Sequence, residues 1–337
     1  MRIVIQGAGI SGLTLGASLQ NWDVTILEKD NRIRGIGAGI LLHDESLKAL
    51  SSVGVLPEGR RFDRMNLGFA NGRLLPAAPK SGLALSRGKL HEKLIEKNDK
   101  SVIKLSSSVV AFTESNDSVE MKLSDGSELE ADFLVGADGI SSGLRAIHNT
   151  ATSKKYAGAT CWRAVSHIKT SLTQPLELWG DGVRVGIVPL NEGTYLYVTE
   201  NKKEQGKVCG ISLKKFKSFS YDVYRLIVSV SEEDWMQHDL VELDNHFWGS
   251  RLVPLLGDAA HAFTPNLGEG AAQAILDSVY LSKYLRDDIN YPGKRASRNR
   301  HFARLSRWAG HIAQAQGLKS KVRDFVLYPL TSKKRKV

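Results

Sequence analysis

Cysteine is nearly absent: Cys161 and Cys209 are the only two among 337 residues, far apart and without C-x-x-C spacing. That excludes a disulfide framework and a thiolate zinc site. It fits a reducing compartment, with both residues as buried structural thiols and no metal centre. Long apolar runs are missing too, so no membrane span is expected. The first strand-like run, RIVIQ, begins at residue 2 and leaves no room for a cleavable signal peptide. A cytoplasmic protein is therefore expected. Low-complexity tracts are absent, and 42% hydrophobic with 24% charged residues describes an ordinary globular chain. Its length suits two domains, or one domain with a large insertion. Acid is scarce at one end, where Ile289 to Val337 carries thirteen Lys/Arg against the single acid Asp324. The net charge of +10 belongs to that segment, and the remainder is slightly acidic.

What is present is glycine, placed where strands end. RIVIQGAGISGLTLGASL gives an apolar strand, a tight turn and a helical pattern, with Gly7, Gly9 and Gly12 completing G-x-G-x-x-G. The first glycine permits the sharp turn, the second admits a pyrophosphate, and the third lets helix and strand pack closely. Phosphates would then sit on the helix N-terminus, against Ile10 and Ser11. A second strand, DVTILEK, ends in Glu28 and Lys29, at the distance where an acid grips ribose hydroxyls. An acid there favours FAD or NAD over NADP as the resident nucleotide. A glycine-rich loop containing Gly39 follows. Two further strands end in acidic turns, at Asp138-Gly139 and at Asp258. Three such turns exceed what one NAD needs and suit a longer, extended cofactor.

In four ordered signals the chain resembles the single-component FAD-dependent aromatic hydroxylases of the p-hydroxybenzoate hydroxylase fold, which include tetracycline-inactivating monooxygenases. These signals are GAGISG with Glu28, LSRGKLHEKL around Arg87, GADGISSGLR, and GDAAHAFTPNLGEG. The resemblance implies an α/β fold: a Rossmann-like, GR2-type FAD-binding domain with an inserted, mostly-β substrate domain and a C-terminal helix. The expected division is 1–60, 87–155 and 251–290 for FAD, and 61–86 and 156–250 for substrate. A helical segment, 291–330, and a basic tail, 331–337, follow. By resemblance, Arg87 lies near the pyrophosphate, Asp138 and Gly139 contact FAD and NAD(P)H, and Asp258 binds the ribityl chain. Pro265, Gly268, Gly270 and Ala271 would lie beside the flavin ring, where a helix N-terminus stabilises negative charge. Glu269 and Ala272 replace a Gln and an Asn usual in the family, which puts a side-chain role at those two positions in doubt.

The activity implied is hydroxylation of a small or medium ring-bearing molecule. It would use tightly but non-covalently bound FAD, O2 and transient NADPH or NADH, through a flavin C4a-hydroperoxide. Inactivation of an antibiotic, a non-oxygenating flavin oxidoreductase, and a flavin-binding scaffold are the alternatives; a halogenase is disfavoured because W-x-W-x-I-P is missing. Trp162, Arg163 and Trp179 are candidate substrate contacts, Arg184 is either a similar contact or part of a solvated strand face, and no catalytic acid–base pair stands out. His43 and His261 are expected to be structural. In the basic segment, Phe302, Leu305, Ala309 and Ile312 share a helical face expected to dock. Arg300, Arg304 and Arg307 lie opposite, where they would be solvated or attract an acidic partner. Nucleic-acid binding is not expected, despite the terminal SKKRKV. The partners expected are substrate, O2 and NAD(P)H, with the chain a monomer or homodimer.

Overall fold

The apolar run Arg2–Gln6 forms the middle of a four-stranded parallel sheet, and its last four residues are buried. Phe133–Gly136 pairs on one side and Asp23–Leu27 on the other, with Val102–Lys104 at the edge beyond. Sequences buried on both faces read as continuous apolar runs, as these do. The helix Ile10–Ser18 crosses from the first strand to the second and packs against helix Gly270–Tyr284. A parallel bridge from Gly136 to Leu255 brings the chain before Asp258 alongside the same sheet. The computed structural model describes residues 1–33, 35, 39–204, 210–285 and 291–332. Cys209 and the tail from Lys333 lie outside the described residues, as does most of the loop before Gly39; Cys161 is a buried free thiol.

A second, eight-stranded sheet runs in the order Met236–Leu243, Lys154–Ser166, Thr194–Asn201, Val183–Pro189, Leu176–Trp179, Arg60–Phe69, Ala78–Ser86, Gly39–His43. Side chains alternate between its faces. One face, with Trp162, Leu178, Val185 and Val198, closes a core against Phe216, Val223 and Ile227 of two short helices. The other face turns Arg163, Tyr195 and Tyr197 the opposite way. A meander of Val109–Glu114, Val119–Leu123 and Glu128–Ala131 completes the β structure. The α/β class expected from sequence, with a Rossmann-like parallel sheet, a β-rich second layer and C-terminal helices, is present. No helix of the described residues is long and apolar enough to cross a membrane.

The long helix Tyr291–Ala313 corrects one expectation. Its buried side is Arg295, Asn299, Ala303, Ser306 and Ala313, whereas Leu305 and Ile312 are exposed. The reason is what it packs on. Ser306 and Gly310 meet the polar turn at Thr264 and Asn266, where Asn266 Nδ2 donates to Ser306 O at 2.9 Å. Below, Asp277 accepts from Arg295 Nε at 2.7 Å, Asn299 Nδ2 at 3.3 Å and Gly257 N at 3.2 Å, with His261 Nε2 2.5 Å away. The charges of His261 and Arg295 hold this carboxyl low although burial pushes it up. Removing one member of such a buried cluster strands the others. Asp277→Ala should therefore cost about 3–5 kcal/mol in urea unfolding; a loss under about 1 kcal/mol would show that the cluster is not holding these elements.

Candidate functional site

The first turn interlocks at Gly7. Its φ is +109°, and a Cβ there would lie 2.4 Å from Ala137 O, while one on Gly12 would lie 1.9 Å from Gly7 O. Gly9 is different: a Cβ would meet nothing within 4 Å, and no side chain caps the helix that it starts. Glu28 accepts from Ala8 N at 2.9 Å and Asp30 N at 3.1 Å, which fixes its carboxylate beside the turn. Ile10 is buried and Lys29 exposed. Ser11 O accepts from Ser278 Oγ at 2.8 Å, which ties this helix start to the helix Gly270–Tyr284.

That second helix also begins without a side-chain cap. Before it, Pro265–Leu267 forms a single 3-10 turn, and Gly268 is left-handed with φ +65°. Gly268, Gly270 and Gly139 all face open space. Asp138 Oδ2 accepts from Gly143 N at 2.8 Å, while Oδ1 is buried without a partner. Arg145 Nη1 donates to Ala259 O at 2.6 Å and so joins the Asp138 turn to the Asp258 turn.

Arg87 and Asp258 are both solvent-accessible, yet burial is the dominant influence on each. Accessible groups walled by protein line a cleft rather than an outer surface. Burial lowers Arg87 and raises Asp258, and each charge offsets part of the other's shift. The same cleft reaches the sheet: among the described residues no carboxylate lies within ion-pair distance of Arg163, but its charge is felt by Arg87, Asp258 and His238. The nearby Cys161 sulfur, then Tyr195 and Tyr197, favour its charged form. Burial pushes Tyr195 up to about 12 and lowers His238, so both are neutral near pH 7.

Glu269 has a definite side-chain role. Lys80 Nζ lies 3.1 Å from its Oε1 and donates to Leu267 O at 3.1 Å, His43 Nε2 is 3.2 Å away, and Gln273 Nε2 donates at 3.1 Å. Burial opposes ionisation, but His43, Lys80 and Gln273 together hold it at about 2. Arg184, weighed from sequence as a pocket residue against a solvated strand face, is buried. Its Nη2 donates to Asn266 Oδ1 at 2.8 Å, and its Nε donates to Gln314 Oε1 at 2.7 Å and Thr199 Oγ1 at 3.1 Å. Only the sheet register reveals that position.

The three proposed substrate contacts separate. Arg163 points into the cleft. Trp162, its neighbour, faces the opposite core and is 2% exposed. Trp179 shares the face of Arg163 but lies three strands along, where its Nε1 donates to Glu177 Oε1 at 2.7 Å and its ring meets Phe69. Gly39 packs on Tyr195, whose ring a Cβ would strike at 2.5 Å. Ala271 and Pro265 flank the left-handed turn.

Two uncapped helix starts, bare glycines between them, a placed acid at Glu28 and an enclosed Arg–Asp pair suit a long dinucleotide. Residues 1–176 match the family model of an FAD binding domain. The chain is 36% identical over 310 residues to 2-heptyl-3-hydroxy-4(1H)-quinolone synthase of Pseudomonas aeruginosa, covering 84% of this chain and 80% of the relative. It is 30% identical over 325 residues to the aurachin C monooxygenase/isomerase of Stigmatella aurantiaca, covering 88% and 83%. Among solved structures, Klebsiella pneumoniae HpxO complexed with FAD and uric acid superposes with a TM-score of 0.82 at 21% identity, over 98% of this chain and 95% of that one. The chain belongs to the FAD-dependent monooxygenase family, an oxidoreductase family, and its cofactor is FAD.

The Glu269 contacts make a pH prediction. A carboxyl held at about 2 in the fold and near 4.5 unfolded stabilises the fold above pH 4.5, and that contribution is lost as pH falls towards 2. Glu269→Gln should cost on the order of 2 kcal/mol at pH 7. The gap from wild type should shrink on acidification, as measured by chemical unfolding across that range. A constant gap would mean that the carboxylate's charge is not what stabilises.

Proposed function

We propose that this chain is a single-component monooxygenase that takes electrons from NADH or NADPH and uses O2 to hydroxylate a planar ring compound bearing a polarised oxygen. The observation that carries the substrate reading is Arg163, a half-buried guanidinium with no ion-pair partner among the described residues, on a face shared with Tyr195 and Tyr197. Its donors suit an oxygen with negative character on a bound ring. The synthase that is 36% identical is named for a hydroxylated 4-quinolone, a ring of this chemistry, so quinolone-type compounds are the substrate class to test first.

Within the cleft, Gly9, Ile10, Ser11 and Gly12 would present backbone N–H groups to the pyrophosphate, with Gly7, whose N–H donates to Leu27 O, shaping the turn and Arg87 adding a guanidinium. Glu28 would accept from ribose hydroxyls, with Lys29 at its margin; Asp258 would accept from the ribityl chain, and Asp138 and Gly139 would border the cofactor. Pro265, Gly268, Gly270 and Ala271 would leave room for the flavin ring, and Gly39 would border it through Tyr195. When bound, FAD supplies the redox chemistry, accepting reducing equivalents from NAD(P)H and activating O2. The chain's own part is positional. The uncapped start of Gly270–Tyr284 favours negative charge beside it, and the sheet face excludes water from above. Trp162 is left out of the substrate contacts, since it faces the other core. We further propose the division into FAD-binding segments 1–60, 87–155 and 251–290 around a substrate segment of 61–86 and 156–250.

The test is NAD(P)H consumption by the purified yellow protein with and without 2-alkyl-4-quinolones, with product analysed for label from 18O2. Faster consumption with one labelled oxygen in the product supports the reading. Consumption that never yields labelled product points to a non-oxygenating oxidoreductase. Arg163→Ala should raise the substrate's KM by about 10- to 100-fold while flavin stays bound, since a hydrogen bond to a charged group contributes about 1.5–3 kcal/mol. Asp258→Ala should instead lose flavin on purification. An unchanged KM in the first variant would remove Arg163 from the substrate site.

A further inference from the structure

Among the described residues, seventeen large hydrophobic side chains are exposed, and eight of them lie between Leu305 and Leu330. Three, Leu305, Trp308 and Ile312, form a stripe on the helix Tyr291–Ala313. Four more, Leu318, Val322, Phe325 and Val326, form a stripe on the helix Leu318–Leu327, where Leu318 is 78% and Phe325 81% exposed. Both helices are already held on their inner sides. Ser320 Oγ donates to Asp181 Oδ1 at 2.6 Å, Arg323 Nη2 to Gly180 O at 3.0 Å, and Gly182 N to Ala315 O at 2.9 Å. The stripes therefore face outward, with nothing of the described chain over them.

Charge selects the occupant. Exposed Lys319 and Lys321 flank the second stripe on either side, and exposed Arg300, Arg304 and His311 border the first. The one acid of the hairpin, Asp324, is bonded to Arg323 at 2.7 Å. A second copy meeting this face across a two-fold axis would bring the same cations against one another. An apolar stripe edged by cations, with an aromatic at its most exposed point, fits an anionic lipid surface. We propose that the hairpin from Leu305 to Leu330 docks the protein on anionic membrane surfaces, with Phe325, Leu318 and Trp308 entering the acyl boundary. This reading does not depend on the substrate proposed above.

The test is flotation of the full FAD-loaded chain with vesicles of phosphatidylcholine alone, or with phosphatidylglycerol as one lipid in three. Binding is expected only to the anionic vesicles, and it should weaken as salt is raised. Leu318→Ser combined with Phe325→Ser, and separately Lys319→Glu combined with Lys321→Glu, should each reduce partitioning by on the order of tenfold. All four positions are exposed, so bound flavin and melting temperature should not change. Failure to bind anionic vesicles overturns the proposal. So does binding that survives the Leu318/Phe325 variant, which would mean simple attraction to basic residues elsewhere. A dimer in light scattering that this variant dissociates would assign the face to a second copy instead.

Discussion

Two helix N-termini without side-chain caps, held at one cleft, are the constraint on which the rest depends. Ile10–Ser18 and Gly270–Tyr284 pack against each other through Ser11, Ser278 and Gly257, and the starts of both point towards space kept clear by glycine. Free N–H groups at a helix start attract negative charge by about 0.3–1 kcal/mol each, rising to about 2 in partly buried geometry. Covering them with apolar side chains would waste hydrogen bonds. In the proposed reading, a pyrophosphate at one start and a reduced ring at the other would satisfy both. The Asp277 cluster matters because it fixes one helix to the turn that carries Asp258.

The cleft is cationic, and its charge is set by groups that hold steady near neutrality. Arg87 and Arg163 face Asp258, while His91 and His238 beside them are pushed towards the neutral form. Burial first, and the charge of Arg87 second, lowers His91 to about 4; His238 is lowered by burial and by Arg163. The two arginines, unlike histidine, keep their charge through modest changes in pH.

The glycine turns and the acids beside them were legible because each is a local backbone requirement written in glycine and in the acid that ends a strand. Gly7 and Gly12 cannot be replaced without collision, and that demand leaves a trace in a few adjacent letters. The sheet was harder. Trp162 and Arg163 are neighbours, yet opposite faces separate a core ring from a cleft cation, and only strand pairing says which is which. The surroundings of Arg184 were hidden for the same reason: its partners Asn266 and Gln314 lie 82 and 130 positions away. The C-terminal helix misled because apolar spacing usually marks the inner side. Here the surface beneath the helix is a polar turn, so serine, asparagine and glycine face inward. Glu269, doubted as a side chain, turned out to anchor its loop through Lys80, a contact no spacing could announce.

The seat of Asn266 has a mechanical consequence. A Cβ on Gly310 would come within 2.4 Å of Asn266 Nδ2, so the long helix lies flush on the turn without slack. Arg184 grips that same asparagine from the sheet side. Clamped from two directions, the turn has little sideways travel of its own, so a slide of the helix along its axis would press on the turn that carries Gly268, much as a door frame carries its hinge.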